Sequence, residues 1–171
     1  GGLVVLFRSG HYNFSYSPEE RAKLREFLLG GGMIIYDTGL GSMPFYRSVL
    51  REMKEMFPEQ PVQRLTSDHP IFHAFYDVDR VRYASGVAAS GYQGDEPWFD
   101  AVEINCRVVA LISRWGLAVG WQNAVQEGQQ AYMADSAYKL GVNMFAYASA
   151  MRAWAKNAAQ AMRFEDKPEA D

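Results

Sequence analysis

Cysteine is almost absent: Cys106 is the only one in 171 residues. A single thiol forms no internal disulfide and no thiolate zinc site, so neither can hold the chain together. Basic charge is not in excess either. Seventeen Lys and Arg against 20 Asp and Glu give a formal net charge of -3, and the cations are scattered, which argues against a nucleic-acid partner. No apolar run approaches the roughly 18 to 20 residues that span a bilayer; the longest are short segments such as "VVALI". There is no internal repeat and no low-complexity linker. Several catalytic signatures are missing as well. No G-x-S-x-G or Gly-x-Cys-x-Gly elbow occurs, since Ser113 sits between Ile112 and Arg114. "GLGS" is too short for a phosphate-binding fingerprint.

What remains is an ordinary globular composition, 49% hydrophobic and 22% charged, at a length that suits one domain with a sizeable core. That domain is expected over residues 1–164, with a charged, frayed tail over 165–171. The start "GGLVVLF" has no initiator methionine and begins on an apolar strand pattern, which reads as a domain cut from a longer precursor.

"LVVLF" at 3–7 and "MIIYD" at 33–37 are short apolar runs of the kind buried on both faces of a sheet. Between them lies a helix announced by Ser17, Pro18 and Glu20, a capping box with proline at the first helical position. Leu24, Phe27 and Leu28 form its buried stripe, and Gly30 to Gly32 stop it. A second helix follows "TGLGS", with Phe45, Val49, Met53 and Met56 at helical steps, and ends at Pro58. Two β-loop-α units predict an α/β fold: an open, doubly wound, mostly parallel sheet in three α/β/α layers. Further along, "PVQRL" suggests a short strand and "FDAVEINCRVVALIS" a hairpin turning at Asn105 and Cys106. A long helix is expected over about 131–164, with Tyr138, Val142, Phe145 and Ser149 as one stripe and Met144, Ala148 and Met151 beside it.

In open α/β sheets ligands bind outside the carboxyl ends of the parallel strands. That rule points to Arg8, Ser9, Gly10 and His11 after the first strand, to Asp37, Thr38 and Gly39 after the second, and to Ser113 after a later one. His11 with Asp37 is the candidate catalytic pair, a base and its orienting carboxylate; a turn-shaping histidine and a turn-capping aspartate are the structural alternatives. "SDHPIFHAFYD" sets His69 and His73 four residues apart, a spacing used in metal sites. The zinc-protease acidic residue is missing, though. With Asp68 as a cap, Pro70 in the first turn and Ile71, Phe72 and Phe75 packing, the segment reads better as a helix start, and no metal or other cofactor is assigned. Asp68, His69 and His73 stay on the list of ligand-binding candidates. The Trp and Tyr residues around "GYQGDEPWFD", with Trp115 and Trp121, offer a sugar-stacking platform, although aromatics at 14% of the chain are mostly core.

The segments "SGHYNF", "SPEERAKLREFLLGGGMIIYDTG", "FYRSVLREMKEMFPEQPVQRLTSDHPIFHAFYD", "NCRVVALIS" and "KLGVNMFAYA" together resemble the bacterial family called domain of unknown function 4159. The resemblance implies a flavodoxin-like fold akin to the class I glutamine amidotransferases, without their elbow cysteine, and an extracytoplasmic location in the cell envelope. It marks His11, Arg25, Asp37, Asp68, His69, His73 and Asn143 as motif members. The resulting expectation is a domain that binds a small molecule, a glycan or a protein. Its rivals are a glycan or peptide hydrolase using His11 and Asp37, and a metal-dependent enzyme with ligands among His11, Asp37, His69 and His73.

Overall fold

The computed structural model describes residue 2 and residues 4–165; of the expected charged tail, residues 166–171 lie outside the described residues. Strand β1 (Val5–Gly10) leads through helix α1 (Pro18–Leu29) to β2 (Met33–Thr38). A 3-10 turn (Gly39–Gly41) then opens α2 (Met43–Met56), which returns to a two-residue strand, β3 (Gln63–Arg64). After an irregular stretch holding a second 3-10 turn (Pro70–Phe72) and the short α3 (Ser85–Ala89) come the hairpin strands β4 (Phe99–Ile104) and β5 (Arg107–Ser113). A single-turn helix, α4 (Ala118–Trp121), and the long α5 (Ala134–Glu165) complete the fold.

The five strands are ordered β1-β2-β5-β4-β3. β1 pairs parallel with β2 and β2 with β5, whereas β4 runs antiparallel to both β5 and β3. Hence β1, β2, β3 and β5 point one way and β4 alone opposes them, a mixed sheet. Alternation along the strands sends side chains to two cores. Ile34, Tyr36 and Ile112 pack with Phe45, Val49 and Met53 of α2 on one face. Met33, Ile35 and Leu111 pack with Leu140, Met144 and Tyr147 of α5 on the other. A bulge between Val102 and Glu103 skips Val109 in the ladder, which lets Val109 and Ala110 both join the α2 side. The sheet is thus sandwiched in three layers.

The local signals explain the elements. At α1, Glu20 N–H donates to Ser17 Oγ at 3.1 Å and Ser17 N–H donates to Glu20 Oε2 at 2.7 Å, the reciprocal cap that the spacing predicts. All four stripe residues of α2, Phe45, Val49, Met53 and Met56, are buried. Buried Glu52 of α2 takes the Arg21 guanidinium of α1 at 3.0 Å, pinning the two helices together. The hairpin turns on Asn105 and Cys106, both at positive φ (51° and 60°), as a two-residue type I′ turn requires.

Three details differ from the sequence pattern. β1 begins at Val5 and reaches Gly10, because its register with β2 continues to the Gly10–Thr38 pair. α5 starts at Ala134 since Ala131 and Tyr132 are held in backbone bridges to Gly116 and Tyr83. Its buried face is Ala137, Leu140, Met144, Tyr147 and Ala148, while Tyr138 and Phe145 of the other stripe are 60% and 50% exposed.

One buried amide locks the irregular segment onto α5. Asn143 accepts from the N–H groups of Phe75 (3.0 Å) and Tyr76 (2.7 Å) and donates to the carbonyls of Phe72 and Tyr76, both at 2.9 Å. All four hydrogen-bonding positions of the side chain are filled. Asn143→Ala orphans four backbone groups at once, so it is expected to lower unfolding stability by about 3 kcal/mol or more in urea denaturation.

Candidate functional site

The carboxyl ends of β1, β2 and β5 form a continuous edge, and the register sets Ser9, Asp37 and Ser113 in one row across it. Asp37 is only 2% exposed. Its Oδ1 accepts the N–H of Leu117 at 2.7 Å, and its Oδ2 accepts the N–H of Ala118 at 3.2 Å and the hydroxyl of Ser9 at 3.0 Å. Burial holds this carboxyl above its usual range, against the opposing pull of the two amides and Ser9. Ser113 Oγ donates to the Trp115 carbonyl at 2.6 Å, so it too serves the turn that follows β5. The row ties β1, β2 and the start of α4 together.

His11 lies on the exposed loop beyond β1. Its ring covers Gly39, where a Cβ would sit 2.6 Å from His11 Cε1 and 2.8 Å from the Gly10 carbonyl, so only glycine fits. Its carbonyl accepts the Ser42 hydroxyl at the α2 cap. Among the described residues, Asp37 bonds Ser9, Leu117 and Ala118, not His11. The His11 imidazole lies near enough for its charge to favour the Asp37 carboxylate but is not hydrogen-bonded to it, and Asp37 caps the chain at Leu117 and Ala118 rather than the "TGLGS" turn. Arg8, one residue out of the row, points to the other face and stacks over Phe14 at 3.8 Å. Thr38 is fully buried, and its hydroxyl has no hydrogen-bond partner.

The histidine segment is placed elsewhere. His69 Nε2 pairs with Glu103 at 3.0 Å, near the end of β4 that adjoins the start of β5. Five residues of β5 separate that end from Ser113, roughly 16 Å. His69 itself, not Asp68, caps the 3-10 turn: its Nδ1 accepts the Ile71 N–H at 3.1 Å. Asp68 accepts instead from the Thr66 hydroxyl. His73 spans Ser67 O (2.8 Å from Nε2) and Asp77 Oδ1 (3.0 Å from Nδ1). Two acceptors on one ring favour the doubly protonated form, so His73 titrates above its usual value, first through the Ser67 carbonyl and then through Asp77. Both nitrogens of each histidine are thus engaged. No group of three or more His, Cys, Asp or Glu among the described residues is placed to hold a metal ion. Ile71 and Phe72 pack as expected, but Phe75 is 68% exposed because Asn143 holds its backbone at the surface.

The same edge holds a second carboxylate that the strand-end rule overlooks. β4 runs backwards, so its first residues, Phe99 and Asp100, arrive where the parallel strands end. Asp100 is 7% exposed and faces α2, where its Oδ2 accepts the Tyr46 hydroxyl. The indole N–H of Trp98 makes no well-formed hydrogen bond, but it lies close enough to this pair to favour the Asp100 carboxylate. Arg114 stacks over Trp115 at 4.2 Å and donates to Gly41 O at 3.0 Å; Arg64 stacks over Trp98 at 4.0 Å. Burial outweighs all of these and raises the Asp100 carboxyl above its ordinary value. The Tyr46 phenol is raised too, by burial and by Asp100.

Asp100 and Tyr46 line a cavity of about 510 Å³ between α2 and the loop into β3. Leu50, Phe57, Pro61 and Val62 supply its apolar lining, and Lys54 and Gln60 its remaining polar groups. Two features hint at it in the sequence: Tyr46, Leu50 and Lys54 at four-residue steps on one helix flank, and an aspartate inside the apolar pattern "FDAVEI". By contrast, a groove of about 580 Å³ between α4 and α5 is lined by Trp121, Tyr138, Val142 and Phe145 with no charged group to orient a ligand. The aromatic residues proposed as a sugar platform pack on one another: Trp98 and Trp115 meet edge to face at 5.9 Å, and Trp121 lies against Phe7 at 5.1 Å.

Asp37→Asn sets an amide donor against one of three donors, so it is expected to lose about 1–3 kcal/mol of unfolding stability. Because the folded pKa is raised, the Asp37 contribution is complete below the unfolded value of 3.8 and is lost as pH rises through the folded one. The deficit measured by denaturation is therefore larger at pH 3.5 than at pH 7. His73 behaves alike around its unfolded value of 6.5: wild-type stability relative to His73→Gln falls as pH rises above that value, which paired unfolding curves detect.

No curated protein matches the chain. The family model described as Domain of unknown function (DUF4159) matches residues 4–149, which include the whole carboxyl edge, the histidine segment and Asn143. This chain belongs to the DUF4159 family.

Proposed function

We propose that the domain is a binding module of the bacterial cell envelope, built on a flavodoxin-like scaffold related to the class I glutamine amidotransferases, and that it holds a small ligand in the α2–β4 slot. The observation that carries this reading is the Asp100 carboxyl, nearly buried in the wall of an open cavity, where burial outweighs the pull of Tyr46, Trp98, Arg64 and Arg114 and holds it above its ordinary value. Buried carboxylates are ordinarily saturated with donors, as Asp37 is. Asp100 takes one hydroxyl on Oδ2 and feels the Trp98 indole and two guanidinium groups only from nearby, so a ligand bearing an ammonium or hydroxyl group adds a direct partner from the slot. The envelope location and the scaffold relationship rest on the family resemblance. A hydrolase using His11 is disfavoured because Asp37 is committed to Ser9 and α4.

n-Hexylamine is a minimal probe, an ammonium on an apolar tail. At tenfold its Kd it contributes about 1.4 kcal/mol, so the wild type is expected to melt roughly 3 °C higher. Asp100→Asn, which removes the charge, and Leu50→Trp, which fills the slot, are expected to show no shift. An equal shift in Leu50→Trp, or none in the wild type, contradicts the reading.

A further inference from the structure

The slot has two polar ends, and their separation narrows the ligand class; the argument rests on the binding site proposed above. Tyr46, Leu50 and Lys54 lie at four-residue steps along α2, so the flank from the Asp100–Tyr46 end to Lys54 is about 12 Å long at ~1.5 Å per residue. Lys54 is exposed and pairs with no carboxylate among the described residues. The nearly buried Asp100, beside Tyr46, and the exposed Lys54, two helical turns further along α2, put a negative and a positive group in the wall of one slot. Between them the walls are apolar, from Leu50, Phe57 and Val62, with the Gln60 side chain as the single neutral polar group. The nearby guanidinium groups of Arg64 and Arg114 are occupied by indole stacking and the Gly41 carbonyl and do not line the cavity. Their charges favour the carboxylate form without outweighing its burial, and because neither lines the cavity, the slot side of Asp100 is open to a further cation.

We infer that this slot binds a short apolar peptide by its two free ends. The terminal ammonium sits at Asp100 and the terminal carboxylate at Lys54. An extended chain advances about 3.3–3.6 Å per residue, so three residues span roughly 10–11 Å and match the distance between the polar ends. A free amino acid, whose two charged groups share one carbon, reaches only one end. Apolar side chains of the peptide lie against Leu50, Phe57 and Val62, and Gln60 is the group available to its backbone amides.

Isothermal titration with the tripeptide Leu-Ala-Leu tests this. The free peptide is expected to bind the wild type, its N-acetyl form at least tenfold more weakly, and its C-terminal amide a few-fold more weakly. Asp100→Asn should bind the free and acetylated peptides alike, and Lys54→Ala the acid and amide alike. Asparagine retains an acceptor for Tyr46, which favours folding of the variant; should it fail to fold, the acetylated-to-free ratio on the wild type decides alone. Equal affinity for the free and acetylated peptides overturns the inference. So does binding of n-hexylamine without the tripeptide, an outcome that leaves the slot itself standing; loss of both fails the slot reading as well.

Discussion

Two carboxylates, Asp37 and Asp100, are buried at one edge of the sheet, and the need to satisfy them organises what surrounds that edge. Asp37 solves the problem internally. By accepting from Ser9, Leu117 and Ala118 it fastens β1 to β2 and fixes where the chain leaves β5 for α4. α4 in turn positions Trp121, whose indole N–H reaches the Ala137 carbonyl of α5 at 2.7 Å. A side chain that reads in the sequence as a catalytic candidate is the joint on which this corner of the fold depends. Asp100 meets the same requirement differently, with Tyr46 on one oxygen, Trp98, Arg64 and Arg114 nearby, and a cavity along its wall. A buried charge with incomplete internal partners is costly for stability, and its retention beside an open slot is the physical reason to look for a ligand there.

Much of the fold is legible in the chain. The capping box at Ser17, the α2 stripe from Phe45 to Met56 and the turn at Asn105–Cys106 are local devices, and local devices can be read from spacing alone. The functional edge is legible too, since it follows from the direction of the parallel strands. Its occupants are only half legible. The rule selects residues at the carboxyl ends of strands, and so finds Ser9, Asp37 and Ser113; Asp100 lies at the start of its strand and reaches the edge only because β4 is reversed. That reversal depends on the placement of the β4–β5 hairpin between β2 and β3, a long-range pairing that periodicity does not encode.

The histidines illustrate the same limit. Four-residue spacing places His69 and His73 on one face of a continuing helix, but the chain stops after a single 3-10 turn. Each ring is then consumed by its own neighbourhood, His69 by Ile71 and Glu103, His73 by Ser67 and Asp77. Proline at the first helical position and a side-chain cap are compatible with a long helix or with one turn; Asn143, distant in sequence, selects the turn by holding the backbone of Phe72 to Tyr76.

The central claim is that Asp100 is a nearly buried carboxyl, held above its ordinary value, to which a cation entering the slot adds a direct partner. Its titration, followed through the carboxyl carbon by NMR, tests this most directly. In the free protein the midpoint should lie above the ordinary 3.8, and saturating n-hexylamine should move it downward, because an ammonium partner favours the charged form. A midpoint at or below 3.8, unmoved by the amine, would contradict the account.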